Sequence, residues 1–304
     1  MKQNNFITYP VLFAGVLALS TSGIFAEIST ASSAVTAFYR MILAAAVLTP
    51  LLLFNNHTRR EITTLSFGQW KQILLAGIFL ALHYLMWFES LHYTSVSSSI
   101  VLVALQPLFS LALDYFFRKR KPSSAALIGC IIAVIGSAVI GAGDFQISGR
   151  ALFGDIISFL SAGVIALYYF MGESVRKEVS ALTYSALGYY ASGLILMIYC
   201  LVRGHAFTGY DRITWLSFIG LALISTICGQ CIFNLLLKDI PASAVTMGIL
   251  GEPVGTCILA YFLLQETIKR QQFLGMIIIL IGMTIFFSMP GQKAKQTEKQ
   301  ETEK

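Results

Sequence analysis

Pro107 and Pro253 stand 146 residues apart, and at that offset the second half of the chain repeats the first. Without gaps, Ser97 falls on Ser243, Leu113 on Leu259, Tyr115 on Tyr261 and Phe116 on Phe262. Farther along, Gly129 falls on Gly275, Ile131 on Ile277, Ile132 on Ile278, Ile135 on Ile281 and Gly136 on Gly282. Each copy holds five apolar runs, each near the roughly 20 residues that a helix needs to cross a bilayer. An odd number of crossings inverts the second copy. The expected fold is an all-α polytopic membrane protein, with ten transmembrane helices as two inverted five-helix repeats.

Composition agrees. Hydrophobic residues make up 56% of the chain and charged residues 12%, too few charges to coat a soluble core of 304 residues. The expected spans are 9–26, 34–54, 70–92, 95–117 and 124–143 in the first copy. In the second they are 152–172, 182–202, 213–237, 242–264 and 271–289. The runs lack the period-two alternation of a barrel strand. Three segments follow: 1–147 as the first repeat, 148–289 as the inverted second, and 290–304 as a Lys/Glu/Gln-rich tail expected to be disordered and cytoplasmic. The first run, with only Lys2 ahead of it, does not read as a signal peptide.

Ten spans bring both termini to one side. Of the 21 Lys and Arg residues, fifteen fall on that side, five on the other, and Arg40 lies within a span. The positive-inside bias predicts cytoplasmic termini in a plasma membrane. It also accounts for the basic charge balance without nucleic acid. Arg118-Lys-Arg-Lys121 reads as part of this topology signal. The five cysteines all lie in spans, and Cys228-x-x-Cys231 has neither a second pair nor a flanking histidine, so packing is the expected role. No metal site and no cofactor are expected.

Pro107 and Pro253 fall near the middle of the fourth and ninth spans, where a proline interrupts the helical ladder. Interrupted backbone at that depth survives beside protein or a wet cavity. Gln106 precedes the first proline and Glu252 the second. A carboxylate at the bilayer centre costs at least ~2.5 kcal/mol and usually faces the bundle interior. Glu252 is therefore a candidate proton carrier or counter-ion, or else a structural group bonding freed backbone. His83 and Trp87 share a face of the third span at i, i+4, as Gln230 and Asn234 do in the eighth. The offset carries Tyr84 onto Gln230, Trp87 onto Phe233 and Ser22 onto Tyr168. These groups are expected to line a pocket, although each stripe alone is equally explained by interhelical hydrogen bonds. Arg40 is expected as an anchor that snorkels outward or pairs with Glu27 or Glu89, and Glu89 and His92 as a solvated rim.

These motifs resemble the EamA-type family of the drug/metabolite transporter superfamily. In the first copy the resemblance rests on Ala37-Phe-Tyr-Arg40, on Trp87-Phe-Glu-Ser-Leu91 leading into Tyr93-Thr-Ser95, on Pro107 and on the Gly129…Gly136 helix. In the second it rests on Asn234, Pro241-Ala-Ser-Ala244, Glu252-Pro253, Glu266 and Gly275…Gly282. The resemblance implies ten helices with cytoplasmic termini and a cavity lined by the first, third, fourth, sixth, eighth and ninth spans. It also implies export or exchange of small metabolites, amino-acid-like or drug-like, and one carboxylate among several neutral donors suits a zwitterionic or weakly basic one. One departure stands out: Arg120 occupies the place of a glutamate whose counterpart in the second copy is Glu266.

Among functions, a secondary transporter fits best, its two halves rocking about the proline helices. Glu252 and Gln106 would be its midplane polar groups, and His83, Trp87, Tyr168, Gln230 and Asn234 its cargo contacts. The partners would be a small-molecule substrate, the lipid bilayer and protons as coupling ion. An uncoupled facilitator is the alternative. An enzyme is not expected: the chain has no His-Glu-x-x-His, no Gly-x-Ser-x-Gly and no P-loop, and its four histidines are scattered.

Overall fold

In the computed structural model, which describes residues 5–141, 149–263, 265 and 267–288, ten helical segments are long and apolar enough to cross a membrane. Of the fourteen α-helices among the described residues, all but the third belong to these segments. The first half holds α1 (Asn5–Glu27), α2 (Ser33–Phe54), α3 (Asn56–Thr64), α4 (Phe67–Ser90), α5 (Val96–Val103), α6 (Gln106–Arg118) and α7 (Ser124–Gly141). The second holds α8 (Gly149–Val175), α9 (Ala181–Val202), α10 (Arg212–Gly220), α11 (Cys231–Leu236), α12 (Ala242–Ile249), α13 (Glu252–Leu263) and α14 (Arg270–Phe287). A π-helix, Leu221–Gln230, joins α10 to α11 within the eighth span. Glu266 and the tail after Ser288 lie outside the described residues.

The halves are interleaved rather than set side by side. α1 packs on the π segment, α2 on α9, α4 on α8, α6 on α12 and α7 on α14. Every one of these contacts joins the two repeats, as a pseudo-two-fold axis in the membrane plane requires. Exposed faces carry Leu, Ile and Phe, such as Ile128, Ile131 and Ile135 on α7, while buried faces are rich in Ala, Ser and Thr. In lipid, small residues let helices approach and hydroxyls bond across the seam. Ser99 and Ser158 share a 2.6 Å hydrogen bond, and Ser158 donates to Ser90 at 2.7 Å.

A close backbone seam joins the two repeat-related helices α7 and α14. A Cβ on Gly282 would lie 2.5 Å from the Ala133 nitrogen and the Gly129 carbonyl oxygen. A Cβ on Gly136 would lie 2.7 Å from the Ile279 nitrogen and 2.8 Å from the Gly275 carbonyl oxygen. The obstacles are backbone and cannot rotate aside. Gly282→Ala is expected to force the helices apart at a cost of about 1–3 kcal/mol. A clear fall in melting temperature in detergent checks this.

α3 is an addition to the charged connection expected between the second and third spans. The Asn55 side chain accepts from the His57 N–H at 2.9 Å and starts it. Glu61 then reaches the start of α9. Its carboxylate accepts the Ser180 N–H at 2.8 Å and the Ser180 and Thr183 hydroxyls. Partial burial works to raise the Glu61 pKa, but those hydrogen bonds outweigh it and leave the carboxyl below its ordinary value. A depressed carboxyl adds stability above the unfolded-state pKa, and that stability is lost as pH falls through the folded value. Glu61→Gln should therefore cost about 1 kcal/mol near neutral pH. The difference in melting temperature from wild type should vanish at acid pH, below the carboxylate range.

Candidate functional site

Both proline spans are broken at repeat-related positions. α5 ends at Val103, Ala104 and Leu105 turn, and α6 restarts at Gln106 with Pro107 in its first turn. α12 ends at Ile249, Leu250 and Gly251 turn, and α13 restarts at Glu252, followed by Pro253. A proline in the first helical turn lacks only an N–H that has no intrahelical partner there. Each proline thus restarts a helix rather than kinking one. Across the breaks the backbone tightens: the Leu105 N–H donates to the Leu102 carbonyl at 3.1 Å, and the Gly251 N–H to the Gly248 carbonyl at 2.9 Å. The two new N-termini bring partial positive charge to the bundle centre, where an anion is favoured.

α1 clamps the second break. The Ser20 hydroxyl bonds the Glu252 carbonyl oxygen at 3.1 Å, and the Thr256 hydroxyl bonds the Ser20 carbonyl at 3.1 Å. A Cβ on Gly255 would lie 2.2 Å from Ser20 Oγ, so this approach requires glycine.

A cavity of about 430 Å³ lies against both breaks. Its lining includes Glu252, Gln106, His83, Trp87, Gln230 and Pro253 from the sequence-predicted set, with Arg40, Tyr84 and Tyr169 beside them. Ala26, Thr36, Phe88, Gly141, Lys269 and Gln272 also line it, and all sit at the helix ends opposite the termini. Among the described residues, the terminus-bearing helix ends contribute nothing to the wall. The cavity thus opens on one side and is blind on the other.

Its polar groups divide into held and free. The His83 ring nitrogen Nδ1 lies 2.9 Å from Ser161 Oγ, and the ring stacks on Trp87 with 5° between planes. The Gln230 amide donates to the Tyr169 hydroxyl at 3.0 Å. The Trp87 indole N–H and the Ser137 hydroxyl are buried without hydrogen-bond partners among the described residues. The Glu252 carboxylate and the Gln106 amide make no side-chain hydrogen bond among the described residues. Glu252 therefore does not use its carboxylate to satisfy broken backbone.

Tyr168 and Asn234 lie outside the wall. They are packed beneath it, where the Tyr168 hydroxyl donates to Asn234 Oδ1 at 2.9 Å and the Asn234 amide to Ser185 Oγ at 3.0 Å. Tyr169, one residue on, faces the cavity instead. Asn234 lies a helical turn beyond Gln230 and falls past the floor. Pro107 does not reach the lining either.

Arg40 departs from expectation more sharply. It pairs with neither Glu27 nor Glu89 but turns into the cavity, bonded to Thr226 and Ser22. Glu89 instead accepts from the Tyr199 hydroxyl at 3.1 Å and lies 4.0 Å from Arg203.

The blind end is closed by charge. Arg118 bonds the carboxylates of Asp114 (3.0 Å) and Glu173, and Arg120 bonds Glu173 at 2.7 Å. The Ala242 N–H donates to Glu173 at 2.8 Å, and the Ser243 hydroxyl bonds Asp114 at 3.1 Å. α6, α8 and α12 are thereby tied together, so two of the four basic residues in the expected topology signal also carry structural ion pairs. Lys119, at a left-handed φ of 55°, ends α6 and turns Arg120 back onto the cluster. The arginine that departs from the family pattern thus finds its partner in Glu173. No group of three or more metal-ligating side chains occurs among the described residues.

Broken helices from inverted repeats meeting at a one-sided cavity define a membrane-transporter architecture. The sequence pattern of the EamA-like transporter family matches residues 6–142 and 152–288, and the chain belongs to that family. It is similar to the uncharacterized transporter YyaM of Bacillus subtilis, with 26% identity over 88% of this chain and 86% of that one. It is also similar to solute carrier family 35 member F2 of Mus musculus, with 22% identity over 86% of this chain and 72% of that one. A crystal structure shares the fold, with a TM-score of 0.76 and 14% identity over 92% of this chain and 96% of that one.

Proposed function

We propose that the protein is a secondary transporter of the plasma membrane, with cytoplasmic termini, that exports or exchanges small metabolites by alternating access. The supporting observation is the cavity itself. It holds an unpartnered carboxylate at the restart of a broken helix, opens away from the termini, and ends at an ion-paired floor. A cavity of this form is what one state of an alternating-access cycle requires. Glu252 and Gln106 mark the turning points, and His83, Trp87 and Gln230 shape the wall. Because the repeats are interleaved, the moving parts in this reading are the half-helices flanking the breaks, not two separate lobes.

The blind floor disfavours a continuously open channel. An uncoupled carrier differs from a proton-coupled one in a single respect: an imposed pH gradient drives accumulation only in the second. Cells with and without the protein, compared by untargeted mass spectrometry of their medium and cytoplasm, provide the test. A defined set of small metabolites should move outward with the protein. No difference between the two cultures would sink the reading.

A further inference from the structure

Arg40 lies inside the second span and is 6% exposed. A charge at that depth is expensive unless something compensates it. Its Nε donates to Thr226 Oγ1 at 2.8 Å and its Nη1 to Ser22 Oγ at 3.0 Å, and the Tyr84 ring centre lies 5.3 Å from Cζ. All three neighbours are uncharged. Among the described residues no carboxylate forms an ion pair with it. Its Nη2 is buried and has no hydrogen-bond partner among the described residues.

The surrounding structure is built to hold the guanidinium in this pose. Thr226 belongs to the ten-residue π-helix, a rare form that recurs at functional sites. There its hydroxyl donates to the Leu221 carbonyl at 2.9 Å, which leaves the oxygen free to accept from Arg40. Ser225, next to it, shares a 2.9 Å hydrogen bond with Thr21 on α1. The guanidinium is fixed at two corners, its third is left unbonded, and the residue lines a cavity large enough for an organic molecule.

We propose that Arg40 is the anion-binding residue of this cavity: the cargo is a zwitterion whose carboxylate docks on Nη2 and whose ammonium faces Glu252. This rests on the transporter reading above. The inner wall carries one cation and one carboxylate, so a monoanionic group with a cationic neighbour is matched in both charges. A phosphate dianion would meet the same single guanidinium and be repelled by Glu252; among the described residues the one further cation in the lining, Lys269, is exposed at the mouth. Free chloride is a second source of the same anion chemistry, but it would leave most of the 430 Å³ unused.

The test loads proteoliposomes containing the full chain with a mixture of free L-amino acids and the matching amino-acid amides, which keep the ammonium but lose the carboxylate. Efflux is followed by mass spectrometry. Wild type should move one or more acids roughly tenfold or more faster than the matching amides, the scale of one charge-assisted hydrogen bond. Arg40→Gln should bring that ratio close to one, and Arg40→Lys should restore part of it. Equal losses for acid and amide in Arg40→Gln would make Arg40 a structural prop and overturn the proposal. Amides moving as fast as acids in wild type would overturn it too, as would no movement of any acid, or flux that follows chloride when gluconate replaces it. The comparison of cultures described above separates these failures from failure of the transporter reading, since a cargo without a carboxylate would still appear there.

Discussion

Glu252→Gln is expected to lower cargo flux by roughly 30- to 100-fold, the loss of one charge-assisted contact. It should also abolish any response to an imposed pH gradient. The amide keeps the shape of the side chain but carries no charge and binds no titrating proton. The expectation follows from placement. The carboxylate stands in the first turn of α13, lines the cavity and makes no protein hydrogen bond among the described residues. The repeat-related position already carries an amide, Gln106, so the local backbone accommodates one. Proteoliposome flux at matched and unmatched pH is the measurement. Unchanged flux would remove Glu252 from the mechanism. Reduced flux with no pH response in wild type would assign it to cargo binding alone.

The second large effect is expected at the floor. Glu173 accepts from Arg118, Arg120 and the Ala242 N–H, while Asp114 is left to share Arg118. Removing one member of a buried ion cluster costs about 3–5 kcal/mol. Arg120 is one-third exposed, which reduces the loss to about 2 kcal/mol. In the proposed alternating-access cycle only the closed-floor state would make these bonds, so Glu173→Gln should shift the balance toward an open floor by roughly 30-fold. Ser110, buried on α6 between the cavity and the cluster, is a suitable reporter. A cysteine there should react with a membrane-impermeant maleimide from the terminus-bearing side far faster in the Glu173→Gln background. No gain in labelling would mean that the cluster does not hold the floor shut.

Much of this architecture was legible in the chain because it depends on period and repetition. The offset between Pro107 and Pro253 located both breaks, and the four glycines at that offset marked the α7–α14 seam. Side-chain direction was less legible. Tyr168 and Tyr169 are chemically alike and sit about 100° apart on one helix, so only the packing of α9 shows which one faces the cavity. The i, i+4 pairing of Gln230 with Asn234 put both on one face but could not say that the floor passes between them. Arg40 was misread because depth alone favours snorkelling. Its real partners, Ser22 and Thr226, lie 18 and 186 residues away, and Thr226 is presented by a π-helix that no hydrophobic period announces. The ion cluster was hidden for a related reason: its members come from three helices, and its basic half was already explained by topology.

Cys257 lines the cavity, whereas Cys228 is exposed on the outer face of the bundle. A chain in which Cys257 is the only cysteine therefore tests the one-sided midplane pocket directly. In right-side-out and inside-out vesicles, a membrane-impermeant thiol reagent should modify Cys257 readily from the side opposite the termini and slowly from the terminus-bearing side. Equal modification from both sides, or none from either, would contradict a blind cavity between inverted repeats.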